Sequence, residues 1–246
     1  MAAEVQRRLL PPHAPRNAAA TFAAFTLPAR TIGGDYYDFL DLGGDQVGIA
    51  VADVSGKGIS AALVMSVVQA SLRVISSHRN LSLSQLAAQM NGFLYQSTGA
   101  NRYATFFYAQ VEARGQRLRY VNAGHNPPYL VRAANGTTAI IELCVGGTAL
   151  GLFPEVAFQE ADIDLRARDL LVAFTDGVPE ALNSAGEEFG EERLKTVLRA
   201  GVGRAADEIS TRLADTMRDW IGDAEQHDDL TFVVVAVNET KDEHTQ

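Results

Sequence analysis

From Thr21 onward the chain switches between two hydrophobic rhythms. Residues 21–27 and 37–42 are short apolar runs separated by Gly33-Gly34-Asp35. Residues 46–53 set larger Val47, Ile49 and Val51 between Gly48, Ala50 and Ala52, the period of two that a strand requires. A loop at Ser55-Gly56-Lys57-Gly58 gives way to a helical pattern over 59–77. A second helix starts at Ser82, which with Gln85 has the spacing of a capping box, and Leu83, Leu86, Met90 and Leu94 form its apolar stripe. Strand-like runs follow at 103–111, 117–123, 129–132, 138–143 and 169–174, and Asn135-Gly136 suits a type I′ hairpin turn. Two helices, 190–200 and 204–221, then precede 230–237, a continuous apolar strand of the kind covered on both faces.

The segregation of strand runs from helix pairs predicts an α+β fold. Two antiparallel sheets packed as a β-sandwich and flanked by pairs of helices, a four-layer αββα arrangement, would use every element. Residues 1–20 read as an N-terminal linker or helix stub, with Val5, Leu9 and Leu10 on one face and Pro11, Pro12 and Pro15 forbidding continuation. Residues 21–238 form one domain and 239–246 a polar tail. No internal repeat is present.

Composition narrows the function classes. With 21 Lys+Arg against 30 Asp+Glu the net charge is −9, which argues against a nucleic-acid partner. The one cysteine, Cys144, excludes a disulfide framework and multi-cysteine metal sites, and a reducing, cytoplasmic setting is the default. The uncharged stretch 58–72 is shorter than the roughly 20 residues a bilayer demands. It reads as a buried helix, so no membrane span is expected. Cys144 itself, following an apolar strand, reads as a small core residue, and the aromatics within 103–108 as core.

The informative feature is where the aspartates fall. Asp35 follows two glycines, Asp53 ends one strand, Asp176 closes another, and Asp228-Asp229 opens the last. One strand-end aspartate is ordinarily a turn former. Four such junctions in one domain suggest convergence, and converging carboxylates repel unless a cation offsets them. An all-oxygen site suits Mg²⁺ or Mn²⁺ rather than Zn²⁺. Four acids could hold two ions about 3.5–4 Å apart, the arrangement that cleaves phosphate esters.

The ordered set of motifs resembles the metal-dependent (PPM, type 2C) serine/threonine phosphatases, in particular their bacterial SpoIIE-type branch. The matching stretches are Ile32-Gly33-Gly34-Asp35-Tyr36-Tyr37-Asp38, Asp53-Val54-Ser55-Gly56-Lys57-Gly58, Thr175-Asp176-Gly177-Val178 and Asp228-Asp229-Leu230-Thr231. Ala123-Gly124-His125-Asn126-Pro127-Pro128, Gly147-Thr148-Ala149-Leu150-Gly151-Leu152 and the opening Gln6-Arg7-Arg8-Leu9-Leu10-Pro11-Pro12 also look like that branch. The resemblance covers roughly 5–238 and implies the same β-sandwich. It implies that Asp53 bridges two Mn²⁺ or Mg²⁺ ions, that the Val54 carbonyl ligates one, that Asp176 and Asp228 hold one of the pair, and that Asp35 acts through metal-bound water. It further implies hydrolysis of a phosphoserine or phosphothreonine protein, typically a STAS-type anti-sigma-factor antagonist, by a metal-bridging hydroxide. An upstream sensor or activator that sets activity through the helices after the Asp53 loop is also implied.

One position departs from the pattern. Many type 2C enzymes place His two residues after the bridging Asp, where this chain has Ser55, so a metal-bound water is the expected proton donor. Arg30 sits where those enzymes place a phosphate-binding Arg, and Lys57 is a second phosphate-binding candidate. For Asp38 and Asp229 structural hydrogen bonding is the expectation, for His125 a turn-stabilising role, and for His227 an exposed loop. Lys57 does not make a P-loop, which needs Gly at 51 and Ser/Thr at 58 where Val51 and Gly58 stand. The alternative to an active phosphatase is a regulatory protein-binding module of the same fold. A homodimer through Leu9 and Leu10 is a further expectation.

Overall fold

The computed structural model describes residues 2–239 except 16, 18, 79, 100, 101, 113, 115, 135 and 136. The chain order is α1 (Ala2–Leu9), β1 (Ala20–Leu27), β2 (Tyr36–Asp41), β3 (Gln46–Val54), α2 (Ile59–Ser76), α3 (Leu83–Ser97), β4 (Ala104–Glu112), β5 (Arg117–Ala123), β6 (Tyr129–Ala134), β7 (Thr137–Glu142), β8 (Gly146–Gly147), β9 (Ala161–Asp164), β10 (Leu170–Phe174), α4 (Glu191–Arg199), α5 (Ala206–Ile221) and β11 (Leu230–Val237). One sheet runs β1-β11-β10-β6-β7, the other β2-β3-β4-β5-β8 with β9 also on β5.

The alternation in β3 explains how the layers meet. Val47, Ile49 and Val51 fill the space between the sheets with Val233, Val235 and Leu171. Ala50, Ala52 and Val54 face the other way, where their small size lets α2 close down through Ala61, Met65 and Val68. β11 is buried along its whole length, with Phe232, Val234 and Ala236 turned onto α4 and α5. The result is the expected four layers, α2/α3, sheet, sheet, α4/α5. The expected capping box of α3 is complete, with both Ser82 and Gln85 bonds made.

Several expectations need correction. The sheets are not wholly antiparallel, because β5 pairs with β8 in parallel. β8 and the short edge strand β9 carried no sequence signal, the first being two glycines without side chains to pattern. α2 is not buried all round: Ile59, Leu63 and Val74 are more than 60 % exposed, although its length and composition would suit a membrane span. Cys144 is exposed, since Leu143 takes the inward position, and Tyr103 is likewise exposed while Phe106, Phe107 and Tyr108 are core. Asn135-Gly136 lies outside the described residues, but the β6–β7 pairing that such a turn would close is present, Ala134 opposite Thr137.

Two contacts hold the elements that frame the functional end. The Gln6 side chain of α1 bonds both backbone groups of Gly33, donating to its carbonyl at 2.6 Å and accepting from its amide at 3.1 Å. Leu9 and Leu10 pack against the α2/α3 core. Asp38, fully buried, accepts two hydrogen bonds from Arg73 of α2 at 2.8 and 2.9 Å and one from the Tyr36 hydroxyl at 2.7 Å. That structural role is the expected one. Arg73 is partly exposed and can be rehydrated, whereas Tyr36 cannot. Asp38→Ala is therefore expected to cost about 2 kcal/mol, chiefly the stranded Tyr36 hydroxyl, measured by urea denaturation.

Candidate active site

Four strand ends deliver acids to one end of the sandwich. The β2–β3 register puts Tyr36 opposite Ala52, so Asp35 enters the sheet beside Asp53. Gly34 permits this approach: a Cβ there would stand 2.9 Å from the Val54 carbonyl oxygen and 3.6 Å from Asp53 Oδ1. In the other sheet Thr175, just after β10, donates its amide hydrogen to the Thr231 carbonyl, which aligns Asp176 with Asp228-Asp229. Gly177 is needed there because a Cβ would overlap the Asp229 carbonyl oxygen.

Asp229 is the strut between the two groups. Its Oδ1 accepts from the Ala29 amide at 2.8 Å and its Oδ2 from the Gly34 amide at 2.7 Å. A carboxylate bonded in this way by backbone amides is structurally committed, as expected from the sequence. Asp35 is buried and accepts from the Thr175 hydroxyl at 2.8 Å. The two threonines, Thr175 and Thr231, were not anticipated as partners of the acids; each directly adjoins or follows an aspartate motif, which was the available signal.

The electrostatics show that the acids sense one another. Burial, followed by the charges of Asp176, Asp228 and Asp229, pushes Asp53 up to about 7. Burial and then Asp53 raise Asp35 well above the ordinary carboxylate range, against hydrogen bonds from Thr231 and Thr175. Burial and then Asp228 raise Asp176. Lys57 reaches in as the nearby cation, 2.9 Å from Asp228 Oδ2 and donating to the His227 carbonyl at 2.6 Å. Arg30 is exposed in the loop after β1 and has no bond among the described residues. Ser55 has turned away, its Oγ accepting from the Tyr103 amide at 3.1 Å. Lys57, Gly177, Glu180, Glu188, His227 and Asp228 line an adjoining cleft of about 280 Å³. Glu180, raised by burial and then by Asp176, was missed by sequence reasoning.

The donor set fits divalent cations. It is all oxygen, the anions of Asp35, Asp53 and Asp176 are disfavoured by burial and then by neighbouring charge, and the Val54 carbonyl adjoins Asp53. Among the described residues no three carboxylates surround a single point. Mg²⁺ needs only one or two per ion, with waters completing its shell.

A stability prediction follows from the raised Asp53. A carboxyl whose folded-state pKa lies above its unfolded value favours the fold at low pH, and that contribution is lost as pH rises through the folded value. In chelator-treated protein, Asp53→Asn is expected to raise Tm relative to wild type. The difference should be small near pH 4 and grow until about pH 7, as read by thermal melts across that range. A pH-independent difference would contradict the charge account.

Comparison with known proteins agrees with this geometry. The sequence profile of Stage II sporulation protein E (SpoIIE) matches residues 43–238. The phosphoserine phosphatase RsbU of Bacillus subtilis is 30 % identical over 236 residues, which are 96 % of this chain and 68 % of RsbU. IcfG of Synechocystis is 29 % identical across 96 % of this chain but only 40 % of its own length. Among solved structures, the SiaA-PP2C domain of Pseudomonas aeruginosa superposes with a TM-score of 0.80 at 20 % identity, covering 96 % of this chain and 94 % of that one. The RsbU and RsbW domains of a Mycobacterium tuberculosis protein match with a TM-score of 0.74 at 26 % identity, over 91 % of this chain and 61 % of that one. The PstP catalytic domain, crystallised with two manganese ions, matches at 0.63 and 18 % identity over 90 % and 99 %. With its acids gathered at the end of the same four-layer sandwich that PP2C phosphatase domains have, the chain belongs to the SpoIIE family.

Proposed function

We propose that this domain hydrolyses phosphoserine or phosphothreonine on a protein, using two Mn²⁺ or Mg²⁺ ions held by Asp53, the Val54 carbonyl, Asp176 and Asp228, with Asp35 acting through water. The observation that carries the reading is that burial first and a neighbouring carboxylate next raise three strand-end acids: Asp53 beside Asp176, Asp228 and Asp229, Asp35 beside Asp53, and Asp176 beside Asp228. Such an arrangement is unfavourable without a cation and is relieved by one. When bound, the cations supply the Lewis acidity that ionises water and offsets phosphoryl charge. The protein's part is to orient. Asp53 stands between the two sheets' acids, and Asp229 fixes the glycine loop. Thr175 holds Asp35. Arg30 offers an exposed guanidinium whose fork matches two phosphate oxygens, and Lys57, at the mouth of the cleft, supplies a second positive charge for the phosphate.

For the substrate we infer a STAS-type anti-sigma-factor antagonist. RsbU, matched along 68 % of its length, is itself described as a phosphoserine phosphatase, and the Mycobacterium protein has an RsbU domain and an RsbW domain. An upstream sensor or activator is the corresponding proposal for regulation, and this chain spans 68 % of RsbU and 40 % of IcfG. A homodimer through α1 would use Val5, which is 58 % exposed, while Leu9 and Leu10 already pack against the α2/α3 core.

The test is hydrolysis of p-nitrophenyl phosphate and of a phosphorylated STAS protein with Mn²⁺. Asp53→Ala is expected to lower kcat on both by about 10²–10³-fold or more. Activity unaltered by the change, or unaltered by chelation, would defeat the metal mechanism, and no hydrolysis of either substrate with Mn²⁺ would favour a binding module. Arg30→Ala should reduce kcat/KM by about tenfold, mostly through KM; unchanged constants would remove Arg30 from the phosphate site.

A further inference from the structure

We propose that His125 is a positioning residue whose imidazole ties the strand pair bearing Asp53 to the strand bearing Asp176, fixing the spacing across which the cations must bind. The inference rests on the metal-dependent reading above. It starts from a mismatch between what the His125 loop needs and what it has.

The loop after β5 is fixed without the ring. The His125 amide donates to Asn122 Oδ1 at 2.7 Å, and Asn122 Nδ2 donates to the carbonyls of His125 and Leu143, each at 3.0 Å. Gly124 makes the turn at φ 65°, with its Cα seated where a Cβ would stand 2.7 Å from the Ala149 amide nitrogen. The turn-stabilising role expected of His125 therefore belongs to its backbone and to Asn122. The ring is left buried at the sheet interface for another purpose.

One of its nitrogens is bonded toward the Asp53 strand pair and the other is left without a partner among the described residues. Nδ1 lies 2.9 Å from Thr105 Oγ1. Thr105 is the residue opposite Asp53 in the β3–β4 register, and its hydroxyl approaches the Asp53 carbonyl at 3.5 Å. Nε2 is buried with no hydrogen-bond partner among the described residues, and the nearby Phe174 carbonyl favours a proton on the ring. Phe174 ends β10, directly before Thr175, which holds Asp35, and Asp176. Burial keeps the ring neutral, its pKa down to about 4, so it carries one hydrogen. With that hydrogen on Nε2, directed at the Phe174 carbonyl, and the Thr105 hydroxyl donating to Nδ1, one imidazole spans both sheets beneath the acids. Partners that orient metal ligands from behind typically change metal affinity or activity 10–100-fold when removed.

The experiment measures Mn²⁺ binding to the whole chain by calorimetry, alongside p-nitrophenyl phosphate kinetics and chelated Tm. His125→Phe keeps the ring volume but removes both nitrogens, and Thr105→Val removes the hydroxyl. Each is expected to weaken Mn²⁺ binding and lower kcat by about 10–100-fold with KM for the substrate unchanged. Their combination should be no worse than the more severe single change, as for residues of one linkage. His125→Gln, whose amide reaches the Nε2 position, should recover part of the loss. Mn²⁺ affinity within about twofold of wild type in both single variants, whatever their Tm, overturns the proposal, and so do additive losses in the double variant. Should His125→Phe fail to fold, Thr105→Val and His125→Gln give the same decision. A wild-type chain indifferent to Mn²⁺, or one whose Mn²⁺ binding survives Asp53→Ala, would instead defeat the metal reading, and this inference with it.

Discussion

Carboxylate repulsion organises this end of the molecule. Asp35, Asp53, Asp176 and Asp228 come from distant parts of the chain, and hydrophobic burial of the strands that carry them forces them together. The apolar filling between the sheets, from Val47, Ile49 and Val51 on one side and Val233 and Val235 on the other, is what makes the crowding tolerable. Burial raises the affected acids first, and their neighbours' charges raise them further. Stability is thereby traded for a site predisposed to cations.

The six aspartates of the motifs are not equivalent, and the difference lies in what each touches. Asp229 is bonded by backbone amides and acts as a strut. Asp38 is closed off by Arg73 and Tyr36. Asp53 stands at the centre of the mutual repulsion, and Asp228 is met by Lys57. Thr175 bonds Asp35, and Thr105, opposite Asp53 in the sheet, bonds the His125 ring. The same loop that Asp229 holds is gripped from the other side by Gln6 of α1, so the N-terminal helix is in direct contact with the framework of the site.

Much of this was legible in the sequence because it is local or periodic. The alternation of β3, the unbroken apolar run of β11 and the capping box of α3 each specify an element by short-range rules. The aspartates announced themselves by ending strands beside glycines. What escaped was long-range or lacked a pattern. Two glycines cannot signal β8, and Cys144 was misplaced because its neighbour Leu143 claims the inward side. The contacts of Thr175 with Asp35 and of Glu180 with the cleft join residues whose proximity only the folded sheets create. His125 was read correctly as a loop residue, but nothing in its neighbours could reveal that Asn122 does the loop's bonding and leaves the ring to the sheet interface.

The central claim is that the strand-end acids together bind a pair of hard cations. Anomalous diffraction from crystals soaked in Mn²⁺ tests it most directly. The account predicts two peaks about 3.5–4 Å apart, each within bonding reach of an Asp53 oxygen, with Asp176 and Asp228 among the further ligands. Peaks elsewhere on the surface, or a single ion that leaves Asp53 uncoordinated, would contradict it.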